Sequence, residues 1–246
     1  MKYCFESLKK VPAWRLVVAA VWLLGMSLEV YGRGSNPPSF QEMVLSKLND
    51  VTVFSFFFIL LLIITDLGFN KEDNGAKSEV PSFLRQMAYA AFLSMLIIVL
   101  YIIFSLAIML IIGGSVSFSN VWNRIDPFGF EWASPTLAML IIIPLFFLRL
   151  VFLICLVAAV NSRSKKIPYG YAVGFAVCLI NAIVYFQFMQ STAGGIFPFE
   201  HAYLESVFAL SPSILMNIFI SVLYWLLFIG AAGLIYRSGK PEKGAD

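Results

Sequence analysis

The chain alternates between long apolar blocks and short polar connections. Reading for apolar runs bounded by charge, proline or glycine gives six blocks, over Trp14 to Tyr31, Val51 to Leu67, Met87 to Ile112, Thr136 to Val160, Tyr169 to Met189 and Ser213 to Tyr236. Each is roughly 18 to 25 residues long, and a helix of that length crosses a hydrocarbon core of about 30 Å. The pattern predicts an all-α integral membrane protein with six transmembrane helices in one domain spanning residues 1–246. No internal repeat, heptad run or low-complexity tract marks a second unit. The first block follows Lys2, Lys9 and Lys10 as a signal peptide would. It carries Trp22 and Glu29 and lacks an A-x-A cleavage pattern, so it reads as a retained span.

Charge sets the orientation. The N-terminal segment (Lys2, Lys9, Lys10, Arg15), the connection after the second block (Lys71, Lys77, Arg85), that after the fourth (Arg163, Lys165, Lys166) and the tail (Arg237, Lys240, Lys243) all fall on one side. The opposite connections hold only Arg33, Lys47 and Arg124. An excess of lysine and arginine in short loops marks the cytoplasmic side, so both termini are expected inside. The N-terminal segment places Cys4, Phe5, Leu8 and Val11 at helical spacing against Lys2, Glu6, Lys9 and Lys10. That is the pattern of a short amphipathic helix on the inner leaflet, although a charged flank orienting the first span accounts for it too. The exterior segments 113–135 and 190–212 mix aromatics with glycine, proline and a few acids, a composition suited to the headgroup region.

Composition narrows the function. Of 246 residues, 60% are hydrophobic and only 13% charged, with a mean hydropathy of +0.87. That charged share is about half the usual one for soluble domains, and the loops are too short to build a catalytic domain with its own core. The net charge of +3 reports topology rather than nucleic-acid binding. The three cysteines, Cys4, Cys155 and Cys178, form no CxxC and suggest neither a disulfide nor a zinc site. No cofactor is expected. Gly239-Lys240 is followed by Pro241 and has no glycine in register upstream, so a phosphate-binding loop is not expected in this chain. An intramembrane serine protease would have to set Ser115 against the single histidine, His201, without the usual glycine-serine context. A metalloprotease would need more ligands than His201 and Glu200. No catalytic residues are predicted.

Ionisable residues inside the blocks are the remaining signal, because a charge at the bilayer centre costs about 3 kcal/mol on insertion scales. Arg149 lies 13 residues past Thr136 and Asp66 lies 15 past Val51. In spans running the same way, both fall roughly 20 Å below the outer boundary. Either they line a substrate path or they pair to hold two helices in register. The matched depth predicts an Asp66–Arg149 pair. Glu29 sits near the outer end of its block. Asn181, Gln187 and Asn217, and the run Gly230-Ala231-Ala232-Gly233, read as helix-packing devices.

The order of these parts is an amphipathic N-terminus, six spans, a charged connection after the second, a short basic one after the fourth and an aromatic outer segment before the last. In this order the chain resembles ABC-2-type permeases, small six-span subunits found in bacterial exporters and immunity systems. In that family the connection after the second span docks on a separate ATPase through a short coupling helix. Glu72, Gly75, Glu79, Pro81 and Arg85 match its acidic-Gly-to-Pro-to-Arg pattern, with Ala76 where the family carries threonine. Pro81 stands at a helix start, with Phe83 and Leu84 as an apolar anchor. The resemblance implies cytoplasmic ATPase partners, a second permease chain, residence in the bacterial cytoplasmic membrane and export of a hydrophobic or amphipathic substrate such as an antimicrobial peptide. An ion-coupled secondary transporter is the alternative and would need an internal repeat with broken helices. An intramembrane protease is the more distant one.

Overall fold

A computed structural model describes residues 9, 11–32, 40, 44, 56, 58, 59, 83–112, 135–162, 169–188 and 214–238. The described residues are helical wherever they are regular, with no strand among them. Five helices follow one another: α1 (Ala13–Gly32), α2 (Phe83–Ile112), α3 (Pro135–Asn161), α4 (Tyr169–Phe188) and α5 (Ile214–Ser238). They coincide with five of the six apolar blocks. The second block, Val51 to Leu67, lies almost wholly outside the described residues.

Three of these helices carry stretches long and apolar enough to cross a membrane: Phe83–Ile111, Met139–Asn161 and Ile218–Ser238, with mean hydropathies of 2.9, 3.0 and 2.4. They mark the chain as a membrane protein. Their outer surfaces are apolar as well, with Ile111 82%, Leu140 68% and Leu234 69% exposed. A helix that is hydrophobic all round belongs in a core or a bilayer.

α3 is the centre. It packs against α2, α4 and α5, while α1 packs on α2 and α5 touches α2 only lightly. Its buried positions include Ala158, Ala159 and Cys155, small side chains that let neighbouring backbones approach. Pro144 sits inside α3 without ending it. A proline within a helix removes one backbone hydrogen bond and bends it, and spans tolerate this where neighbours satisfy the freed carbonyl.

Ring contacts fix the directions of the helices. Phe56 lies between Tyr101 of α2 (5.3 Å) and Phe146 of α3 (4.9 Å), so these two residues share a level. Trp22 of α1 meets Phe58 at 5.1 Å, near the same level. Ser27 and Ser105 meet at 3.2 Å, which puts them on a second level. From the first level to the second the chain advances five residues along α1 and four along α2, so α1 and α2 run parallel. Phe152 of α3 packs on Trp225 and Phe228 of α5, and Phe83 at the start of α2 packs on Tyr236 near the end of α5. These contacts close only if α3 and α5 both run against α2. One end of the bundle, called basal here, therefore holds the starts of α1, α2 and α4 and the ends of α3 and α5.

Candidate functional site

Every described lysine or arginine except Arg149 lies at the basal end: Lys9, Arg15, Arg85 and Arg237. Arg15 also lies over the ring of its neighbour Trp14, 5.4 Å from the centroid, an arrangement suited to a membrane interface.

At this end α2 begins at Phe83, four residues before the sequence-predicted boundary at Met87. Hydropathy stops at Met87 because Arg85 and Gln86 are polar, whereas backbone hydrogen bonding continues through them. Phe83, Leu84 and Arg85 therefore form the first turn of a 30-residue helix rather than the last part of a separate short one. The other predicted coupling residues, Glu72, Gly75, Glu79 and Pro81, lie outside the described residues.

Phe83 and Leu84 take different positions. Phe83 is half-buried and packs inside the molecule, its ring 5.5 Å from that of Tyr236 and against Gly233. A Cβ built on Gly233 would come within 2.8 Å of Phe83 Cε1, so the bare glycine makes room for the ring. Leu84 is 69% exposed. Between the two helices opens a cleft of about 540 Å³ lined by Phe83, Leu84, Gly230, Gly233, Leu234, Tyr236 and Arg237. One turn further along α2, Gln86 is buried. Neither its amide nitrogen nor its oxygen has a hydrogen-bond partner among the described residues.

The turn from α3 to α4 forms a second basal feature. The buried Asn161 side chain, at the last residue of α3, accepts a hydrogen bond from the Gly170 backbone N–H through Oδ1 at 2.8 Å. An asparagine thereby satisfies one of the unpaired N–H groups of the α4 start. The approach is so close that a Cβ on Gly170 would overlap the Val157 carbonyl oxygen and lie 2.6 Å from Asn161 Oδ1. Only glycine fits there. The short basic segment 163–168 links these two clamped ends.

Arg149 is buried to 2% exposure in α3. It lies twelve residues from Asn161, about 18 Å above the basal end, near the middle of the helix. The predicted partner Asp66 is outside the described residues, as are Ser115, Glu200 and His201. Other interior polar groups are Ser27, Ser94, Ser105 and Ser221, all fully buried. The Ser27 hydroxyl is within hydrogen-bonding distance of both the Leu23 carbonyl, at 3.1 Å, and Ser105 Oγ. Cys155 and Cys178 are free thiols. No group of three His, Cys, Asp or Glu side chains able to hold a metal occurs among the described residues.

The Gly233–Phe83 contact and the Asn161–Gly170 clamp went unread in the sequence. The first had a signal in Gly230-Ala231-Ala232-Gly233, which marks close packing without naming the partner. The second had only a glycine just inside a predicted span. Comparisons of the chain with family models, curated proteins and solved structures found no match.

Proposed function

We propose that the chain is the transmembrane permease subunit of an ABC transporter of the bacterial cytoplasmic membrane, exporting a hydrophobic or amphipathic substrate such as a peptide. ATP hydrolysis belongs to a separate cytoplasmic ATPase, and a second permease chain, identical or related, completes the pathway. The observation that carries this reading is the seating of Phe83. The charged segment 69–82 leads directly into α2, and α2's first turn is wedged against α5, so a force applied to that segment reaches two long helices at once.

The helix directions support the six-span arrangement. Because α1 and α2 are parallel, the chain between them must return across the layer, and the apolar block Val51 to Leu67 is long enough to do so. The basal end then faces the cytoplasm, in keeping with the cations gathered there. Both termini lie on that side, together with the connections 69–82 and 162–168.

Two experiments test the proposal. Affinity purification from the native membrane in mild detergent is expected to carry along a soluble P-loop ATPase. Recovery of the permease free of any such ATPase, from cells that express both, contradicts it. The substrate path is expected at the interface of two chains, since the described helices pack closely around α3. A native-lipid particle holding one permease chain and one ATPase contradicts that.

A further inference from the structure

The first turn of α2, Phe83 to Gln86, holds two side chains that pull in opposite directions. Phe83 favours the position seen, because its half-buried ring lies against the bare Cα of Gly233 and 5.5 Å from the ring of Tyr236. Gln86 opposes it. Among the described buried side chains, Gln86 has neither amide atom hydrogen-bonded, Nε2 or Oε1, and it is only 1% exposed. Shutting an amide away without partners costs about as much as burying part of a phenyl ring gains, so the two contributions nearly cancel. Leu84 is exposed, and the turn holds no acidic residue to offset the positive end of the helix dipole. Higher up, α2 is anchored. Tyr101, about 27 Å along the helix from Phe83, packs on Phe56, which also meets Phe146 of α3, and Ser105 meets Ser27 of α1. The contact of α2 with α5 is light, and Phe83 is at its basal end.

We infer that the first turn of α2 is a latch with two positions of similar free energy. In the seated position Phe83 lies on Gly233 and the Gln86 amide goes without partners. In the released position the turn opens, Phe83 leaves Gly233, and the amide, about 5 Å from the helix start, hydrogen-bonds to water at the basal end. Terminal turns are the first parts of a helix to open. The cleft of about 540 Å³ beside Phe83 and Leu84 leaves room for this turn to move, while the anchored upper part of α2 stays in place. The latch rests on the proposed topology in taking the basal end as a membrane–water interface, and on the permease reading only for its use. Seated, it passes movement of the segment 69–82 on to α5. Released, it does not.

Double electron–electron resonance on the full chain in lipid nanodiscs tests the latch. Spin labels would be placed at Leu84→Cys and Leu227→Cys, both exposed sites, in a background with Cys4, Cys155 and Cys178 replaced by Ala. With Gln86 and Phe83 intact, two distances are expected, a shorter one for the seated turn and a longer one for the released turn. Gln86→Met keeps the shape and removes the unpartnered amide, so it should raise the ratio of seated to released by about fivefold or more. Phe83→Ala removes the ring that holds the turn and should shift the ratio the other way. A single distance with Gln86 and Phe83 intact overturns the proposal, as does a ratio that Gln86→Met leaves unchanged or moves toward release. A lowered melting temperature in Gln86→Met overturns it too, since the amide would then be satisfied in the seated position. An ATPase that fails to co-purify while the two distances respond as expected counts against the permease reading alone.

Discussion

Arg149 can be read at two levels. In the sequence it is a cation deep inside an apolar run, and its cost in hydrocarbon makes it stand out there. The structure places it inside the bundle, near the middle of α3. If Asp66 pairs with it, removing one partner leaves a buried charge uncompensated, while removing both does not. Arg149→Leu and Asp66→Leu should each lower folded yield more than the double variant does, measured by size-exclusion recovery. Additive losses would mean that another group satisfies Arg149. Gly170 and Asn161 behave differently. The need for a bare Cα at Gly170 arises only once Asn161 has turned across nine residues to meet its N–H, and no single-sequence signal encodes that. Gly170→Ala should destabilise the protein by about 1–3 kcal/mol through overpacking, read as a lowered melting temperature in detergent. Asn161→Ala should have a similar effect through the orphaned N–H. At Gln86, a buried amide with no described partner, replacement by Met should leave stability unchanged or raised. A drop of several degrees would show that a bound group engages the amide.

Among the elements, α2 shows what hydropathy can and cannot read. Its existence and far end at Ile112 follow from an uninterrupted apolar run. Its start does not, because Arg85 and Gln86 look like loop while the helix passes through them. Pro144 poses the converse case, since proline often ends helices in water and α3 continues past it. The four-residue extension changes what Phe83 does. Phe83→Ser should loosen the α2–α5 contact and lower thermal stability, whereas Leu84→Ser, at an exposed site, should leave stability within about 0.5 kcal/mol. If the segment before α2 docks an ATPase, Leu84→Ser should weaken ATPase association at unchanged stability. Equal ATPase recovery with both variants would remove the apolar anchor from the interface.

Across the whole molecule, the sequence carries the apolar blocks that became the five described helices, because bilayer thickness is a one-dimensional constraint, and it supplies an expected span count and orientation from loop charge. It carries little of which helix lies beside which. That α3 would be central follows from packing among nearly uniform apolar surfaces, a choice that side-chain shape makes and composition does not. The parallel course of α1 and α2 is the structural fact on which six crossings, a cytoplasmic coupling segment and hence the permease reading all depend. It is tested most directly by accessibility. In a background with Cys4, Cys155 and Cys178 replaced by Ala, single variants Ser35→Cys, Ser78→Cys, Ser117→Cys, Ser164→Cys and Ser191→Cys would be treated in intact cells with a membrane-impermeant maleimide. Positions 35, 117 and 191 should label from outside, and 78 and 164 only after the membrane is opened. Labelling of 35 and 78 from the same side would contradict the account, since the chain between α1 and α2 would then not return across the membrane.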